Sequence, residues 1–267
     1  MTATTAPTAR LGPKRGWAIV AGQELRDLWM GNRGPIILLI FTIALGAQTF
    51  LVASDAQLNL LDAREAAAGV VKLALSLAAL AVLILSADAI SGERERDTLE
   101  FLLLTPLRRR DLVVGKLLAA LSMWGAMLAI SIPYVVTVAD GPGIATDAVL
   151  MMVIVGTLAS VALAGLGMAI SSFSKSNRAS LGISLVTLLI LAAPGQLPSS
   201  STRGLLGDIL VRSNPMAAGL RLNTRIMIDE RSWSSQWTLL IAPVIFAVIM
   251  IAIAVASWRR VGMGDQR

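Results

Sequence analysis

Six stretches of this chain carry no charged residue at all: 34–54, 73–87, 117–139, 148–174, 179–202 and 232–258. At a helical rise of ~1.5 Å per residue, most of them cross ~30 Å of hydrocarbon. A lipid-exposed backbone must satisfy its N–H and C=O groups internally, so such stretches fold as helices. The chain is therefore expected to be all-α, a polytopic membrane protein with six transmembrane helices. With 55% hydrophobic and only 15% charged residues, it lacks the charge to cover a soluble surface. The second stretch gains its length from Val70, Val71 and Lys72, with the Lys72 ammonium reaching the surface. The fifth contains Pro194, Gly195 and Pro198, so its helix is expected to end near Ala193.

Basic residues orient the spans. Sixteen Lys and Arg fall in segments 1–34, 88–116, 171–178 and the tail 259–267, against six on the opposite side. Both termini and segment 88–116 are thus expected in the cytoplasm, with a long external loop at about 195–234. The domain reading is an N-terminal segment 1–34, a six-span unit 35–258 and a tail 259–267. No long apolar stretch precedes Pro35, so the first span is expected to serve as an uncleaved insertion signal. Trp17, Trp29, Trp124, Trp233, Trp237 and Trp258 read as an interfacial aromatic belt.

Several chemistries are excluded. With neither Cys nor His, the chain has no disulfides, zinc or haem ligation, or Cys/His catalysis. Gly115-Lys116 is followed by Leu and lacks the earlier glycine of a phosphate-binding loop. Neither an H-E-x-x-H nor a G-x-S-x-G pattern occurs. No cofactor is expected on this chain. The +6 charge is assigned to topology and lipid headgroups, not to nucleic acid. No ionisable residue sits mid-span; the polar groups near depth are Thr42, Gln48, Thr49, Ser76, Ser122, Ser131, Tyr134, Thr137 and Ser160. An ion-coupled carrier needs charge at depth, so energy for uphill transport must enter from outside the membrane core.

Three local patterns stand out. Segment 14–33 is amphipathic, with Trp17, Ala21, Leu25, Leu28 and Trp29 on one face and Gln23, Arg26, Asp27 and Arg33 opposite. Glu24 interrupts that pattern, and Gly34-Pro35 is expected to turn the chain into the membrane. Segment 93–104 is charged at its start and apolar at its end, ~18 Å long if helical. Leu99, Leu102 and Leu103 cluster on one side of it, and Thr105-Pro106 resembles a helix start. Four consecutive apolar residues, 101–104, are ill suited to an idle cytoplasmic loop and point to a groove on a soluble partner. In the fourth span Gly156, Ser160 and Ala164 form a small-residue seam for helix packing, with Gly165 and Gly167 adding flexibility.

Residues 89–100 (Ala-Ile-Ser-Gly-Glu-Arg-Glu-Arg-Asp-Thr-Leu-Glu), 103–107 (Leu-Leu-Thr-Pro-Leu) and 115–118 (Gly-Lys-Leu-Leu) closely resemble the permease subunits of type-2 ATP-binding-cassette exporters. The resemblance implies a subunit of a bacterial plasma membrane that pairs with a second permease, identical or not, and sits on cytoplasmic ATPase subunits holding ATP and magnesium. It makes 14–33 an elbow helix, carried by Trp17, Leu25, Leu28 and Trp29. It makes 93–104 a coupling helix, in which Glu93, Arg94, Glu95, Arg96, Thr98, Leu99, Glu100, Leu102 and Leu103 face the ATPase. It places short re-entrant helices in 203–231. Many relatives have Gly where this chain has Asp97, and Asp favours caps and turns. The reading from another class is a non-transporting scaffold that recruits a cytoplasmic partner through the same loop.

Overall fold

The computed structural model describes residues 16–54, 60–98, 109–196 and 214–257. In chain order these form α1 (Gly16–Met30), α2 (Arg33–Ser54), α3 (Leu60–Glu95), α4 (Arg109–Ala139), α5 (Ala145–Phe173), α6 (Asn177–Gln196), α7 (Pro215–Met227), α8 (Trp233–Gln236) and α9 (Thr238–Ser257). Six of them, α2 to α6 and α9, are long and apolar enough to cross a membrane. The all-helical, six-span expectation holds among the described residues. Segment 99–108 lies outside them, and so do Leu99, Glu100, Leu102, Leu103 and the Thr105 cap, residues 197–213 of the long loop, and Trp258.

Helix ends depart from the charge-free stretches where polar partners are available. At 36 residues α3 is about 54 Å long, well beyond the hydrocarbon thickness. Lys72, expected at the end of this span, lies inside it instead. The helix begins twelve residues earlier, and Arg64 near its start pairs with Glu230 at 2.9 Å. The turn into the first span falls at Gly31-Asn32, not Gly34-Pro35. Asn32 adopts φ 63°, a conformation asparagine tolerates, and Pro35 suits the first turn of α2. α6 continues past Ala193 to Gln196, with Pro194 inside its last turn. Before the last span, α8 is separate from α9.

α3, α4 and α5 make up the centre, and α2, α6 and α9 flank it with much apolar surface exposed. The seam residues Gly156, Ser160 and Ala164 are all buried. Gly156 belongs to a π-helical turn, Met152–Gly156, pressed against the Trp124 ring. Trp124 is therefore no belt residue: it is 4% exposed, midway along α4, and its Nε1 donates to Thr157 Oγ1 at 3.1 Å. Gly165 and Gly167 serve close approach, not flexibility. A Cβ on Gly167 would stand 2.8 Å from Leu83 O in α3, and one on Gly165 2.8 Å from the Met250 carbonyl carbon in α9. Small residues let backbones meet where the hydrophobic effect cannot drive helix association.

α7 starts inside the bundle, with Met216 against Ala79, Leu83 and Leu163, on a capped turn: Asn214 Oδ1 accepts from Met216 N and Ala217 N, with Pro215 at the first helical position. Its buried Asn223 donates to Ala68 O at 3.1 Å, and Trp233 Nε1 donates to Asp147 Oδ1 at 2.9 Å. Replacing Gly167 with Leu should push α5 off α3 and destabilise the protein by about 1–3 kcal/mol. Gly125→Ala, where a Cβ meets nothing within 4 Å, should be neutral. Thermal unfolding of the purified chain in detergent measures both.

Candidate functional site

The last two turns of α3 gather the charges of one end of the molecule. Lys116 of α4 is the most enclosed, its side chain 3% exposed. Its Nζ donates to Glu24 Oε1 of α1 at 2.6 Å and to Glu93 Oε1 of α3 at 2.5 Å. An ammonium so buried needs such partners to stay charged, so one side chain holds three helices together. α1 reaches this position because Gly115, beside Lys116, leaves room for it: a Cβ there would stand 2.9 Å from Ala21 N.

The next two residues straddle the turn from α5 to α6. The Arg94 guanidinium donates to Ser174 O, the carbonyl just past the end of α5. Glu95 Oε2 accepts from Asn177 N, the first amide of α6, at 3.0 Å. A cation thus meets a helix C-terminus and an anion a helix N-terminus, each complementing the local dipole. Behind them Ser171 Oγ accepts from Ile90 N and Ser91 N at 3.1 and 2.9 Å, and Ser180 Oγ donates to Ala87 O at 2.8 Å. Asp88 collects Arg33 of α2 (2.8 Å), Arg96 (3.5 Å) and Asn177 Nδ2 (2.7 Å). Gly92, one turn on, has no side chain, and its space is filled by the Asp88 carboxylate.

α3 then stops. Thr98 N donates to Glu93 O at 3.0 Å and Asp97 N to Arg94 O at 3.3 Å, with Asp97 at φ 56°. These are the two bonds of a Schellman ending, in which the left-handed residue is usually Gly. Asp97 occupies the place where glycine was expected from the resemblance, and an aspartate tolerates that conformation better than most side chains. This corrects the 93–104 reading: residues 93–95 are the end of the long α3, and the chain reverses at Arg96–Asp97.

Every charge from Glu93 to Arg96 has an intrachain partner, whereas the sequence reading turned all of them toward another protein. On α1 the protein-facing residues are Gly16, Val20, Ala21 and Leu28. Leu25 and Trp29 are half-buried, Trp29 Nε1 donating to Ser122 Oγ at 3.2 Å, while Trp17 is 43% exposed. An amphipathic helix beside a bilayer has two apolar neighbours, and the pattern alone does not separate them. Glu24, which looked like a blemish, is the residue that reaches Lys116; its one signal was that it broke an apolar face.

Lys116→Met strands two partly buried carboxylates and should destabilise the chain by about 3–5 kcal/mol. Adding Glu24→Gln and Glu93→Gln to it should recover most of that loss, because no uncompensated charge remains. Thermal unfolding midpoints of the single and triple variants give the comparison.

No curated protein matches the chain as a relative. The family model described as ABC-2 family transporter protein matches residues 18–263, which takes in every helix from α1 to α9 except the first two residues of α1. The chain is a member of the ABC-2 transporter family, as a multi-pass membrane permease component of an ABC transporter.

Proposed function

We propose that this permease couples ATP hydrolysis on separate cytoplasmic ATPase subunits to export of a substrate across the plasma membrane. The observation that carries the reading is the gathering of α1, α2, α4, α5 and α6 on the last two turns of α3. The next residues, 99–108, join α3 to α4 and include the apolar run at 101–104. Closure of the ATPases pushes on that segment, and the polar latch spreads the push to the neighbouring helices as a rigid-body tilt. Because Glu93, Arg94 and Glu95 are engaged inside the chain, the anchors in the ATPase groove are Leu99, Leu102 and Leu103, with Glu100 beside them.

The excess of Lys and Arg at the α1 end supports a cytoplasmic position for it and for both termini. A second permease, identical or different, completes the path along an interface that the exposed apolar faces of α2, α6 and α9 can supply. ATP and magnesium stay on the partner. Movement switches the path between inward and outward access.

Leu102→Glu inserts a charge into the apolar anchor and should abolish co-purification with the ATPase, while the permease keeps its own unfolding midpoint. A buried interface anchor contributes ~2 kcal/mol or more. Unchanged association and unchanged ATP turnover would remove this segment from the coupling path.

A further inference from the structure

A cleft of about 610 Å³ lies at the α1 end between α1, α3 and α4, within the size range of ligand pockets (roughly 300–1,000 Å³). Apart from Arg26 and Asp27, neighbours on α1 whose charges offset each other, its charged walls fall into two clusters of unlike sign. On one side Glu24 and Glu93 share the single ammonium of Lys116, which leaves one negative charge over. On the other side Arg33 and Arg96 share the single carboxylate of Asp88, which leaves one positive charge over. Both guanidiniums are half in solvent, at 55% and 51% exposure, so their remaining donors are free to take a ligand. Between the charges the lining is apolar, from Leu28, Leu85 and Ala89, with the 78% exposed Met30 at its edge.

We propose that this cleft binds a phosphoethanolamine headgroup, with its phosphodiester on Arg33 and Arg96 and its primary ammonium beside Glu24 and Glu93. The chemistry follows from the walls. Guanidinium forks suit phosphate oxygens, and a carboxylate pair short of one proton donor suits an N–H-bearing cation. A choline headgroup has no N–H to donate, and a glycerol headgroup has no cation. The apolar lining beside exposed Met30 favours a bilayer lipid over a free solute, because acyl-chain and glycerol carbons cover surface that a small zwitterion leaves wet. The bound headgroup would bridge α1, α2 and α3 and hold α1 against the bundle. This inference is independent of ATPase coupling, and its test involves no ATPase.

The full-length chain, purified in detergent, is unfolded thermally with added phosphatidylethanolamine, phosphatidylcholine or phosphatidylglycerol of equal acyl composition, or with free phosphoethanolamine. Phosphatidylethanolamine at about tenfold over its dissociation constant should raise Tm by roughly 3–6 °C above phosphatidylcholine. Arg33→Gln, at an exposed position, should erase that difference, and Arg33→Gln with Arg96→Gln should do the same, each read against the variant's own phosphatidylcholine value. Equal shifts from the three lipids, or an ethanolamine effect that survives in both variants, would overturn the site. A phosphatidylglycerol shift matching that of phosphatidylethanolamine would overturn the role of Glu24 and Glu93. Protection by free phosphoethanolamine equal to that by the lipid would overturn the bilayer as the source.

Discussion

An ammonium buried to 3% exposure between two carboxylates is the constraint on which the α1 end of this protein depends. Lys116 cannot give up both partners without leaving a charge in an apolar setting, and loss of Lys116 would leave both carboxylates unpaired. Well-packed apolar residues in place of a buried ion cluster often leave stability unchanged, so the trio's presence argues less for stability than for fixing relative position. α1, α3 and α4 are thereby held in one register.

The same logic runs on to the α5–α6 turn. Hydrogen bonds from Arg94 and to Glu95 meet exposed backbone groups at two helix ends, which have no partners within their own helices. Such contacts are directional, and sliding by one residue loses both. Ser171 and Ser180, donating or accepting at the backbone of 87–91, add bonds that lipid cannot replace. Farther along, glycines take over from polar groups: Gly167 sets α5 on α3 and Gly165 sets α9 on α5. One end of the bundle is thus joined by specific polar bonds and its middle by close packing, an arrangement suited to passing on a tilt.

The spans were legible because a lack of charge over ~20 residues leaves a chain few alternatives in lipid. The segment containing Glu93 to Arg96 was legible as important, but not as what it is. Sequence shows charges in a loop as free for a partner, whereas their partners, Lys116, Ser174, Asn177 and Asp88, lie on other helices, in the α5–α6 turn or about two turns back along α3. Glu24 was misjudged for the same reason: its meaning depends on a lysine 92 positions later. Trp124 was assigned to the interface by residue type, and only the π-turn that meets it mid-span shows otherwise. Asp97 was noted for its turn-forming preference, yet the sequence reading ran a helix through it from 93 to 104, where the structure ends α3.

The most direct test of the latch is the number of substrate molecules moved per ATP hydrolysed by permease and ATPase reconstituted in vesicles, compared between the native chain and Arg94→Met. That substitution keeps the stem of the side chain and removes the bond to the end of α5. Force carried through α3 predicts ATP turnover close to native with transport down about tenfold or more. An unchanged ratio would show that the push reaches the membrane by another route.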